Sequence, residues 1–79
     1  MKLTYDLRYN IAYLQIQQKT AQVETVHVSD ELNVDIAPDG TVYGIELLNA
    51  KAQLEGGDHG FLVVINEAIR LRREVSLVE

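Results

Sequence analysis

Leu32-Asn33-Val34-Asp35-Ile36-Ala37-Pro38-Asp39-Gly40-Thr41-Val42-Tyr43-Gly44-Ile45-Glu46-Leu47 carries the clearest pattern in the 79-residue chain. Leu32, Val34 and Ile36 alternate with Asn33 and Asp35, the period of a strand with one apolar face. Pro38-Asp39-Gly40 then turns the chain, because Pro fixes φ at the first corner and Gly accepts the left-handed position. A further strand runs from Thr41 to about Leu47, with Tyr43, Ile45 and Leu47 on one side. Gly44 inside it marks a bulge or a close approach by another part of the chain. This hairpin fixes the class of the fold as sheet-based.

Before it, Leu3 and Tyr5 alternate in a short first strand, and residues 6–10 form a turn with Asp6 and Asn10 bonding their own backbone. Residues 11–17 place Ala12, Leu14 and Ile16 on one side and Ile11 and Tyr13 on the other. A loop over 19–22 leads to a third strand, 23–28, with Val26 and Val28 inward, and residues 29–31 turn into Leu32. Together these predict a consecutive antiparallel β-meander of about five strands. Residues 48–55 have high helix propensity and Gly56-Gly57 stops them, which gives a short helix.

The last segment admits two patterns. Phe61, Leu62, Ile65, Ala68 and Ile69 would share one face of a helix from about residue 60. The β-branched runs Val63-Val64-Ile65 and Val75 to Val78 favour instead a C-terminal β-hairpin turning at Asn66-Glu67-Ala68. The expected fold is one α+β domain over residues 1–79.

Size limits how much such a domain can bury. At 8.9 kDa a compact chain exposes roughly 4,800 Å² of the about 12,900 Å² available when extended. Apolar burial then contributes about 120 kcal/mol, close to the cost of ordering the chain at ~1.5 kcal/mol per residue. A supporting chain is therefore expected.

Composition narrows the function. There is no cysteine, which removes disulfides, thiolate metal sites and cysteine nucleophiles and suits a cytoplasmic protein. No apolar signal-peptide core follows Met1, and the apolar run 61–65 is too short to span a bilayer. The net charge of −5 opposes generic nucleic-acid binding. Residues 1–69 hold four Lys/Arg and ten Asp/Glu, while 70–79 hold three Arg and two Glu. Arg70, Arg72 and Arg73 therefore read as a solvated basic face rather than a phosphate site.

Three groups of residues invite a chemical role. Asp35, Asp39, Gly40 and Glu46 have the spacing of an EF-hand loop at its first, fifth, sixth and twelfth positions. Ala37 offers no oxygen at the third position, Pro38 presets a hairpin, and the flanks are strands, so calcium is not expected. Next, His27, Asp35 and Glu46 face away from the apolar side, and a histidine near a carboxylate can serve acid–base or metal chemistry. No nucleophile motif or phosphate loop accompanies them, and Asp58-His59 in the glycine-rich loop makes a poor metal site. Finally, Ile11, Tyr13, Val23 and Val42 read as apolar positions on the second side of the sheet. With Phe61 they form the expected interaction surface.

The opening Met1-Lys2-Leu3-Thr4-Tyr5-Asp6, then Ala12-Tyr13-Leu14, Asn33-Val34-Asp35-Ile36 with Asp39-Gly40, and the run from Val42 to Ala50 resemble the family of domains of unknown function 2283. The resemblance covers about residues 1–50. Leu7 and Arg8 depart from the family's Pro and acidic residue, and Ala37 stands where an acidic residue is common. The family has no established activity, so the resemblance implies no catalytic residue. The association of some members with neighbouring small toxin-like proteins implies an antitoxin-like partner role.

The expectation is a non-catalytic cytoplasmic interaction module without cofactor. It would be a homo-oligomer or bind a small basic protein, with no nucleic-acid or membrane partner. The alternative is a small-molecule or metal-binding enzyme using His27, Asp35 and Glu46.

Overall fold

The computed structural model describes residues 1–18 and 22–77, and of Asp58 the backbone alone. The expected loop at residues 19–21 and the end of the last strand at Val78 lie outside the described residues. Five strands, β1 (Lys2–Asp6), β2 (Ile11–Gln15), β3 (Glu24–Ser29), β4 (Leu32–Ile36) and β5 (Val42–Leu48), form one antiparallel sheet. A short helix α1 (Ala50–Glu55) and a single 3-10 turn (Asp58–Gly60) follow. The chain ends in a separate antiparallel hairpin of β6 (Phe61–Asn66) and β7 (Leu71–Ser76). The α+β class and the terminal hairpin are as the sequence predicts, and the alternative helix from residue 60 is not formed.

The strand order is not the consecutive meander expected. It is β1-β2-β5-β4-β3, so the β1–β2 hairpin docks on the free edge of β5, and β3 is left at the far edge. The physical reason lies in composition. Val42-Tyr43-Gly44-Ile45-Glu46-Leu47-Leu48 is the longest strand and gains most from neighbours on both sides. By contrast, Glu24, Thr25 and His27 tolerate the exposure of an edge.

The turns follow local chemistry. Asp6 Oδ1 accepts the Arg8 backbone N–H at 3.0 Å, and Gly40 takes φ 91° at the β4–β5 turn. There Asp39 Oδ1 accepts the Thr41 N–H at 2.9 Å. In the terminal hairpin Asn66 Oδ1 accepts the Ala68 N–H at 3.1 Å. Register shifts between Asp35 and Ile36 opposite β5, leaving Tyr43 as the extra residue beside Gly44.

The helix meets the sheet at β2. It crosses one end, held by Asn10 from the β1–β2 turn: the Asn10 carbonyl accepts the Ala50 N–H at 3.0 Å. Asn10 Oδ1 accepts the Lys51 N–H at 2.8 Å. At the other side the Gln53 side chain donates to the Glu31 carbonyl at 3.0 Å, in the β3–β4 turn. Among the described residues the buried apolar positions are Ala12, Ala37 and Ala50, and no large side chain is fully buried. The molecule is a slab of 34 × 34 × 18 Å, with radius of gyration 13.9 Å, against about 11.6 Å for a compact chain of this length.

Candidate functional site

Strand pairing sorts the sheet into two unlike faces. On one, Leu3 pairs with Leu14, Leu14 with Ile45, Ile45 with Val34, and Val34 with Val26. These five residues make an apolar row across all five strands. Tyr5, Ala12, Leu47 and Leu32 form a second row beside it. Apart from Ala12 these side chains are only half-buried, and Val26 is 43% exposed. The strands' principal contacts are with their own neighbours, and α1 reaches β2 at the sheet's end. This face is one unsatisfied feature of the described residues, and the terminal hairpin, with Phe61, Leu62, Val64, Ile65, Ile69 and Val75 exposed, is another.

The opposite face is polar and bonded to itself. Asp35 is buried, and its carboxylate accepts the Tyr13 hydroxyl and the Thr25 hydroxyl, each at 2.7 Å. Two sheet positions make this possible. Thr25 sits directly opposite Asp35. Tyr13 comes from β2 by passing over Gly44, where a Cβ would overlap its hydroxyl and ring. The second cluster is His27, Asn33 and Glu46. His27 Nδ1 lies 2.9 Å from Asn33 Oδ1, and Asn33 Nδ2 donates to Glu46 Oε1 at 3.0 Å. A consistent donor direction puts the proton on Nδ1, an assignment made from the network.

The sequence-expected residues therefore separate. His27 and Glu46 come together through Asn33, while Asp35 belongs to the neighbouring cluster with Tyr13 and Thr25. Among the described residues no three His, Asp or Glu are grouped to hold a metal ion. Ile11 and Tyr13 lie on the polar face, where Tyr13 spends its hydroxyl on Asp35. Val42 opens β5 opposite Ile36. Val23 precedes β3 and lines a shallow groove of about 320 Å³ with Gln22, Glu24 and Pro38. Phe61 begins the separate hairpin, 43% exposed and paired with Ser76. The five expected interaction residues thus do not form one patch.

Tyr13, Thr25 and Asn33 were not legible as a network. Gly44 gave the only signal, since it is both beside a bulge and under a crossing side chain. The basic residues of the hairpin are exposed, with Arg72 paired to Glu74 at 2.7 Å. His59 is exposed too. No helix among the described residues is long and apolar enough to cross a membrane.

Comparison with known proteins places the chain beside a known family. The family model described as a protein of unknown function (DUF2283) matches residues 2–51, which covers the five-stranded sheet and the start of α1 but not the terminal hairpin. No curated protein matches the chain, and no solved structure does.

Proposed function

The chain belongs to the DUF2283 family, and we propose that it is a non-catalytic protein–protein interaction module whose docking surface is the apolar face of the five-stranded sheet. One observation carries this reading. The chain exposes 6059 Å², about 1,250 Å² more than the roughly 4,800 Å² of a compact protein of its mass. Part of that excess lies on the terminal hairpin, where Phe61, Leu62, Val64, Ile65, Ile69 and Val75 are exposed. On the sheet the row Leu3-Leu14-Ile45-Val34-Val26 crosses all five strands with no large side chain fully buried. An apolar face of that kind marks an interaction site.

The polar face supports the same reading. Asp35 and Glu46 accept hydrogen bonds from Tyr13, Thr25 and Asn33, so these groups hold strands in register. That leaves little for a catalytic cycle. The acidic charge suits a small basic protein as an additional partner on the outer surface, in keeping with an antitoxin-like role, because opposite potential speeds encounter. It disfavours nucleic acid. A chain without cysteine suits the cytoplasm.

Sedimentation at micromolar concentration, with fluorescence of an apolar dye such as ANS, tests the reading. The expected result is an assembled species or a dye-binding monomer. A cooperatively folded monomer that binds no dye would overturn it.

A further inference from the structure

We infer that the occupant of the apolar face is a second copy of this chain, packed face to face about a two-fold axis as a sandwich of two five-stranded sheets. The inference rests on the interaction reading above and names the partner. Three features favour a second copy.

The first is extent. The apolar row spans five strands, about 19 Å at ~4.8 Å per strand spacing, and a second copy offers an apolar face of the same extent. The second is shape. The row Leu3-Leu14-Ile45-Val34-Val26 runs the full width of the sheet, and Ile45 stands at its middle on the central strand. A two-fold axis near Ile45 would set each copy's row against the other's, at the ~10 Å spacing of packed sheets.

The third is charge. The molecule carries a net charge of −5, which would oppose self-association if the charges met. They do not meet in this arrangement. By strand alternation Lys2, Asp6, Asp35 and Glu46 all lie on the polar face, and among the described strand residues of the sheet the one charge on the apolar face is Glu24, at the start of an edge strand. Stacking apolar faces turns the acidic residues outward on both sides. A basic partner would choose the acidic face instead, so the uncharged face selects its own kind.

Sedimentation of the full chain with three variants tests this. The wild type is expected to run as a dimer at micromolar concentration, with a midpoint of thermal unfolding that rises with protein concentration. Ile45→Lys is expected to give monomer. Val26→Lys, at a rim position already 43% exposed, is expected to weaken association at least tenfold without unfolding the chain. Thr4→Lys adds the same charge to the polar face and is expected to leave the dimer intact. If Ile45→Lys fails to fold, Val26→Lys decides. A dimer indifferent to Val26→Lys overturns the inference. A dye-binding monomer overturns the second copy as occupant and leaves the interaction reading standing; a monomer without dye binding overturns both.

Discussion

Tyr13 on β2 and Asp35 on β4 are joined by a 2.7 Å hydrogen bond that crosses the strand between them above Gly44. The bond ties together three strands, and Thr25 brings in a fourth by donating to the same carboxylate. The glycine is the condition for the crossing, because any Cβ there would occupy the space of the Tyr13 hydroxyl.

Gly44→Ala should therefore act through Tyr13 rather than through backbone conformation. The displaced ring loses its bond to a buried carboxylate and exposes apolar surface, a loss of about 2–3 kcal/mol. Denaturant unfolding of the variant measures it. In a Tyr13→Ala background the same substitution should cost much less, since the clash is gone.

Two tyrosines should respond oppositely to loss of the hydroxyl. Tyr13→Phe removes a bond to a charged acceptor and should cost about 1.5–3 kcal/mol. The Tyr5 hydroxyl is buried with no hydrogen-bond partner. Tyr5→Phe should be neutral or stabilise by up to about 1 kcal/mol, since no bond is lost and an unpaired polar atom is removed. Paired unfolding curves check both.

Asn10 should behave as a helix cap although it lies 39 residues before Asn49. Asn49 makes no side-chain cap bond of its own, whereas Asn10 Oδ1 receives the Lys51 N–H. Asn10 is also in the left-handed region, with φ 56°. Asn10→Ala should destabilise by about 1–2 kcal/mol, with amide exchange accelerated in α1. Asn10→Gly keeps the backbone but not the cap, and separates the two contributions.

Acid should loosen two turns. The Arg8 side chain bonded to Asp6, and the Thr41 backbone N–H bonded to Asp39, hold both carboxyls below their ordinary value of 3.8. Folding thus favours the ionised forms. The stability they contribute is complete above the unfolded value and is lost as pH falls through the lower folded values. Carboxyl carbon shifts followed by NMR should show both groups titrating below 3.8. A titration at or above that value would contradict the two turn geometries.

Much of this fold was legible because it is written in period two and in turn residues. Leu32, Val34 and Ile36 declared β4, Pro38-Asp39-Gly40 declared its turn, and Val63-Val64-Ile65 declared the terminal hairpin. Strand order was not legible, since alternation fixes a strand's faces but not its neighbour. The docking of β2 against β5 depends on Leu14 and Ala12 meeting Ile45 and Leu47 at a separation of some thirty residues. The location of the open face was misread for a related reason. High helix propensity over residues 48–55 declared a short helix but not which part of the sheet it meets. Asn10 and Glu31 anchor the helix across the sheet's end, and the apolar side stays open. Tyr13 was counted as apolar because its ring is, while its hydroxyl decides where it goes.

The central claim is that Ile45 of one chain packs against the apolar row of another. Isotope-filtered NMR on a mixture of methyl-labelled and unlabelled chains measures this directly. Contacts between chains are predicted from the Ile45 methyls to those of Leu14, Ile45 or Val34. Interchain contacts confined to other surfaces, or none in a sample at micromolar to millimolar concentration, would contradict it.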